Sequence, residues 1–180
     1  MAIANGTDGI WVNSDNLRVR FGRAEAVKGN SGEYRENTST HVSEFDVDFS
    51  EVALGLTATN VFILDYDTVL PDTAIVEKIE FVTGTAWATD TDINFGTVKR
   101  SDFTSIHDAD GLVAALILAA RNVAGETTVI LPGGTYAGAL MGVQAGIGFD
   151  AVVCTYWTGA APTAGSGTLR IYWRNQAVAI

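Results

Sequence analysis

Cysteine is almost absent: Cys154 stands alone in 180 residues, so no internal disulfide can form and the core must hold the fold. A domain of this length buries roughly 70% of the surface its unfolded chain exposes, which is enough without a staple. Imidazole is equally scarce, with His41 and His107 the whole supply, and no GxSxG is present. A serine or cysteine nucleophile therefore has almost nothing to activate it. Cys154 itself sits beside Val153 in an apolar run, where a free thiol behaves as a small hydrophobe. No apolar run approaches the ~20 residues that span a bilayer. The opening MAIANGTDG carries no basic segment followed by an apolar core, so the chain is expected to stay in the cytosol unless it leaves in a particle or by lysis.

Positive charge is the next shortage. Eleven Lys and Arg face 21 Asp and Glu, a net charge of −10. Residues 1–35 sum to +1, residues 36–98 to −11 and residues 99–180 to 0. An acidic middle of this kind excludes binding along a phosphate backbone, which needs clustered Lys and Arg, and serves solubility instead.

What the chain does have is period-two patterning. In Asn60–Gly84, NVFILDYDTVLPDTAIVEKIEFVTG, an apolar run and an alternating run flank a turn-rich link. Ile75, Ile79 and Phe81 share one face of the second run while Lys78 and Glu80 take the other. Val61, Phe62, Ile63 and Leu64 leave the first run without a polar face, which predicts a strand in mid-sheet with its back covered.

Taken in order, residues 1–9 read as a small polar arm, followed by two short strands around Asn13, Ser14, Asp15 and Asn16. In the second of these, Leu17, Val19 and Phe21 alternate with Arg18 and Arg20. Gly22 to Thr40 holds almost no large apolar residue and is expected to be an exposed loop or extended arm that contacts a neighbour. From His41 to Ser50, Phe45, Val47 and Phe49 oppose Glu44, Asp46 and Asp48, an anionic face suited to pair with the cationic one of the earlier strand, either within one chain or between two. A strand through Ile93 and Phe95 comes next. Asp110 to Arg121 then reads as a short buried helix capped by Asp108 or Asp110 and stopped by Gly125; a strand is the alternative, because Leu112, Val113, Leu116, Ile117 and Leu118 surround a helix axis on nearly all sides. Short strands at Thr127–Leu131, Phe149–Trp157 and Thr168–Arg174 close the chain. The expected fold is all-β, a β-sandwich of jelly-roll-like form with about nine short strands and at most one short helix near residues 110–121. Residues 1–40 form an arm and loop, and residues 41–180 the body.

Three patterns with chemical potential have plainer readings. Gly146 to Ala151 has GxGxxA spacing but leads into a strand, whereas a dinucleotide site needs a helix N-terminus to receive the pyrophosphate, so these glycines read as turn residues. The carboxylates at Asp65 and Asp67, Asp90 and Asp92, and Asp108 and Asp110 lack the DxDxDG run with a distant Glu that marks a calcium loop, and they read as turn and cap residues; a glycosidase acid pair would need two carboxyls facing each other across a cleft. Trp173 alternates with aliphatics and belongs to the core. Trp11 and Trp87 are the two candidates for exposed anchors or sugar platforms, with burial the plainer reading.

NVFILDYDTVLPDTAIVEKIEFVTG, then INFGTVKRSDFTSIHDADGLVAAL, then the small-residue turn before TLRIYWR, follow one another in an order that resembles a group of tailed-bacteriophage virion proteins of jelly-roll type. Its members are capsid decoration, cement or head-associated proteins. The resemblance covers about residues 55–175. It implies a structural protein without catalysis, cofactor or metal, on the capsid surface of a virion. The implied partners are the major capsid protein and sister subunits in a trimer, with no role for nucleic acid or membrane, and synthesis in the host cytoplasm. The first 50 residues lie outside it; residues 1–40 are expected to dock on the capsid or on a sister subunit, with Trp11, Arg18, Arg20 and Arg23 as contacts. Two rival readings share the fold class: a carbohydrate- or receptor-binding sandwich, and a tail or collar protein.

Overall fold

The computed structural model describes residues 9–13, 18–22, 40–88 and 91–175. Strands β1 (Gly9–Asn13) and β2 (Arg18–Gly22) pair antiparallel as a hairpin of their own, as the turn formers between them predict. The body consists of β3 (His41–Asp48), a single helical turn α1 (Phe49–Val52), β4 (Phe62–Ile63), β5 (Val69–Leu70), β6 (Ala74–Thr85), β7 (Thr91–Lys99), β8 (Ile106–Ile117), β9 (Thr127–Ile130), β10 (Ala151–Gly159) and β11 (Ser166–Asn175).

The pairing is nested, first with last. β3 lies antiparallel to β11, β4 and β5 to β10, β6 to β9 and β7 to β8. Lateral ladders between β6 and β11 and between β7 and β10 then join these ribbons into two sheets. One runs β3-β11-β6-β9; the other runs β4-β10-β7-β8, with β5 also on β10. This is the folded-ribbon order of a jelly-roll-like sandwich. The small-residue turn after β10 therefore joins the two sheets, and β10 and β11 are not neighbours.

Alternation decides what lies between the sheets. Phe45 and Val47 of β3, Ile79 and Phe81 of β6, and Leu169, Ile171 and Trp173 of β11 face Ile93 and Phe95 of β7 and Ala151 and Val153 of β10 in one continuous core. A smaller apolar cluster, Ile63, Val98, Val152 and Cys154, backs the outer face of the second sheet. Cys154 is fully buried there, and burial pushes its thiol up to about 12, so it is inert as a nucleophile. The outer face of the first sheet is polar. Arg170 of β11 bonds Glu44 of β3 at 2.6 Å, Arg174 bonds Glu77 at 2.6 Å, and Glu80 receives both Lys78 at 2.9 Å and the Tyr172 hydroxyl at 2.7 Å.

Three expectations need correction. The mid-sheet strand with both faces covered is β10, buried from Ala151 to Tyr156; Phe62–Ile63 forms only a two-residue edge. A bulge at Glu77 puts Lys78 opposite Tyr172 and Val76 opposite Trp173, which turns Ile75 away from the face that Ile79 and Phe81 share. Among the described side chains, Glu44 of the acidic β3 face is bonded by Arg170 of β11, while the side chains of β2 lie outside what the structure describes. The helix placed over residues 110–121 is the second half of β8 followed by a 3-10 turn, Leu118–Ala120; the one α-helical turn among the described residues is Phe49–Val52, capped by Asp48. Tertiary pairing overrides the Ala- and Leu-rich helix propensity there, since the Ala115 N–H donates to the buried Asn94 Oδ1 at 2.8 Å and the Ala114 N–H to the Tyr136 carbonyl at 3.0 Å.

The HDADG stretch is a wide bulge. Phe95 faces Val113 and Thr97 faces Asp108, so β8 takes five residue steps where β7 takes two. The extra backbone folds over Gly96, where a Cβ would lie 2.1 Å from the Asp108 carbonyl oxygen. Asp108 and Asp110 flank this bulge beside Tyr156, and burial, reinforced by a hydrogen bond and charge from Asp110, raises the Asp108 carboxyl above its ordinary value.

Candidate docking site

The loops at one end of the sandwich are built from a repeated turn. In Asp65-Tyr66-Asp67-Thr68, the Asp65 carboxylate accepts from the Asp67 N–H at 2.9 Å and from the Thr68 hydroxyl at 2.5 Å. In Asp102-Phe103-Thr104-Ser105, the Asp102 carboxylate accepts from the Thr104 N–H at 2.9 Å, the Ser105 N–H at 2.8 Å and the Ser105 hydroxyl at 2.6 Å. Both turns follow the same local rule: aspartate first, an aromatic second, a hydroxyl residue fourth. Each aspartate is committed to its own loop, and each loop is thereby stiffened.

The consequence is a pair of aromatic rings held out into solvent. Tyr66 is 56% exposed and Phe103 38%, and their centroids stand 5.1 Å apart at 64°, edge to face. Phe103 has φ of 55°, a left-handed backbone that a bulky residue adopts only at a cost of about 1–2 kcal/mol. Beside the pair lies an open depression of about 650 Å³ lined by Asp72, Lys99, Arg100, Ser101, Phe149 and Asp150. The Arg100 N–H donates to the Asp150 carbonyl at 2.9 Å, and the Lys99 ammonium lies 5.5 Å from the centroid of the Phe149 ring. His107 meets the same ring edge-on at 4.5 Å. This end combines exposed aromatics with two cations, Lys99 and Arg100, and two carboxylates, Asp72 and Asp150, a mixed surface of the kind that can meet another protein.

The electrostatics of the turns give a pH signature. At Asp65 burial works against ionisation, but the bonds from Thr68 and Asp67 outweigh it and hold the carboxyl below its usual range. At Asp102 the Ser105 hydroxyl and the Ser105 and Thr104 amides lower the pKa from 3.8 to about 2. The folded value lies below the unfolded one, so the turn's contribution is present above pH 3.8 and is lost as pH falls towards 2. Carbon-detected NMR of the Asp102 carboxyl should therefore show a midpoint near 2; a midpoint at the ordinary 3.8 would mean that the turn is open in solution.

The residues expected to make contacts from sequence are placed only in part. The hairpin register sets Trp11 opposite Arg20 and Asn13 opposite Arg18, so two of the three cations share a ribbon with the tryptophan. Arg23 lies outside the described residues, as does the interior of the loop expected between Gly22 and Thr40. Trp87 is 3% exposed and Trp173 1%, so neither offers a platform. Gly146 and Gly148 occupy left-handed turns with φ of 77° and 88°, leading into β10 and not into a helix. Among the described residues no three His, Cys, Asp or Glu come together as a metal-binding set, and no helix is long and apolar enough to cross a membrane.

No protein-family model and no curated protein matches the chain. Among solved structures, the capsid of Ralstonia phage GP4 is similar in fold. The TM-score is 0.52 with 14% sequence identity, over 82% of this chain and 92% of that one.

Proposed function

We propose that this chain is a structural protein of a tailed-phage virion, and within the virion a capsid decoration protein that binds the outer surface of the major capsid lattice and stabilises the head. The observation that carries this reading is the aromatic pair of Tyr66 and Phe103, fixed by two matching turns at one end of a sandwich whose fold is shared with a phage capsid. Rings that are rigid before contact lose little entropy on binding, and such anchors dominate protein interfaces. The partners are the major capsid protein and sister subunits, the latter as a trimer on the strength of the sequence resemblance. Work of this kind needs no turnover, cofactor or metal. Residues 1–40, with Trp11, Arg18, Arg20 and Arg23, supply a second contact in this reading, and removing them should weaken attachment.

The carbohydrate-binding alternative requires coplanar rings beside carboxylates. Tyr66 and Phe103 stand at 64° and so present no flat platform for a sugar ring, which favours the protein partner. A tail or collar position remains the reading to separate from a head position. Shells of the source phage assembled without this protein should take up purified protein on the lattice axes of the head in electron micrographs. Density on the tail, or none, would overturn the decoration assignment.

A further inference from the structure

Cations are scarce on this body, and where they go is informative. Between residues 40 and 175 they number six: Lys78, Lys99, Arg100, Arg121, Arg170 and Arg174. Three of them lie over aromatic rings, Lys78 at 3.8 Å from the Tyr172 centroid, Lys99 at 5.5 Å from Phe149 and Arg121 at 5.7 Å from Tyr136. Among the described residues none lies over Tyr66 or Phe103, the two aromatics that stand exposed. Yet acids surround these rings. Asp65 and Asp67 flank Tyr66, Asp102 precedes Phe103, and Asp72 and Asp150 line the neighbouring depression, five carboxylates against Lys99 and Arg100. The bonds within their turns hold Asp65 and Asp102 below the ordinary carboxylate range, so both stay charged at any working pH. Asp150 accepts from the Asp72 N–H at 3.2 Å. Asp67 gives its turn only an N–H, which leaves its exposed carboxylate without a partner among the described residues.

We infer that the protein docking here presents an arginine, its guanidinium laid on the Tyr66 and Phe103 rings and bonded to the Asp67 carboxylate. The inference rests on the reading of this end as the docking surface, and it adds the chemistry of what docks: a basic segment of a protein partner. A ring face carries the negative part of a quadrupole, and carboxylates beside it add field of the same sign, so the pair attracts cations and repels anions. Arginine suits both parts of the site, because its planar guanidinium can stack on a ring while its N–H groups fork to a carboxylate. Asp65 and Asp102 contribute charge without leaving their turns, and Asp67 supplies the free acceptor on the residue next to Tyr66. Phe149 already has Lys99 beside it, so the ring pair is where a further cation gains most. An acidic segment would meet five carboxylates with only Lys99 and Arg100 to receive it.

The test titrates the isotope-labelled full chain with acetyl-tetraarginine amide and follows it by NMR, away from any shell. The ring signals of Tyr66 and Phe103 and the Asp67 carboxyl should move together, and added salt should weaken the effect by screening. Tyr66→Leu and Phe103→Leu keep apolar bulk but lose the ring face. Each of them, and Asp67→Asn, should weaken tetraarginine binding about 2- to 5-fold, the size of one exposed cation–ring or ion-pair contact. Asp46→Asn, an exposed acid of β3 in another part of the body, should change nothing. Shifts spread equally over Glu44, Asp46 and Asp48, a Tyr66→Leu chain that binds as tightly as wild type, or a stronger response to acetyl-tetraglutamate amide would each overturn the inference. So would ring signals that move in an Arg18→Gln, Arg20→Gln, Arg23→Gln triple variant with no peptide present, which would assign the site to the chain's own arm. Shell attachment is read separately. Shells bound by a chain that ignores tetraarginine sink this inference and spare the decoration reading; tetraarginine bound at the rings by a chain that shells do not take up does the reverse.

Discussion

Gly96→Ala is expected to abolish folding. The added Cβ would sit 2.1 Å from the Asp108 carbonyl oxygen, 2.2 Å from the Ala109 carbonyl carbon and 2.3 Å from its oxygen, where real Cβ atoms keep at least 3.0 Å. All three are backbone atoms, so no side chain can swing aside. Relief requires lifting the bulge of β8 off β7, and with it the register that places Phe95, Leu112 and Val113 in the core. A loss above about 4 kcal/mol follows, close to the whole stability of a domain of ordinary marginality. Gly125→Ala is the control: φ there is 83° and nothing lies within 4 Å, so the change costs only left-handed strain of about 1–2 kcal/mol. Urea denaturation of both variants checks the pair. A Gly96→Ala protein as stable as Gly125→Ala would show that β8 does not cross β7 as closely as described.

The same crossing shows why some of this fold was readable in the sequence and some was not. Strict alternation in Phe45, Val47, Leu169, Ile171 and Trp173 announces strands with one buried face, and those residues do line the core. Alternation is a local property, so it survives being read one residue at a time. The β8 bulge is not local. HDADGLVAALILAA carries helix-forming alanines and leucines, and only β7, with Gly96 beneath and Asn94 beside it, makes the segment a strand. Likewise, four apolar residues together predict the doubly covered strand at Val61–Leu64; β10 holds that place because its neighbours on both sides are assigned by nested pairing, which no window of sequence contains. The candidate docking site is legible in principle. Asp65-Tyr66-Asp67-Thr68 and Asp102-Phe103-Thr104-Ser105 spell one turn twice, and an aromatic at the tip of an aspartate-locked turn has little reason to be there unless it is shown to something. What the sequence could not reveal is that the two turns, 37 residues apart, meet.

That meeting makes the second large prediction possible. Replacing Tyr66 and Phe103 together by alanine should reduce attachment to the shell by on the order of 100-fold or more, since paired aromatic anchors at an interface each contribute about 2 kcal/mol when truncated. Each single alanine should account for more than half of the combined loss in free energy, because each ring positions the other at 5.1 Å. Stability separates this from a trivial unfolding effect. Phe103→Gly removes the ring and also the left-handed strain at φ of 55°, so it should leave folding stability within about 1 kcal/mol of wild type while binding falls as it does for alanine. A side chain kept for packing would give the reverse, with stability lost and binding spared. Titrating each variant onto shells, beside urea denaturation of the same preparations, reads both quantities. Undiminished attachment of the double variant would remove this end of the sandwich from the interface and leave residues 1–40 as the contact to pursue.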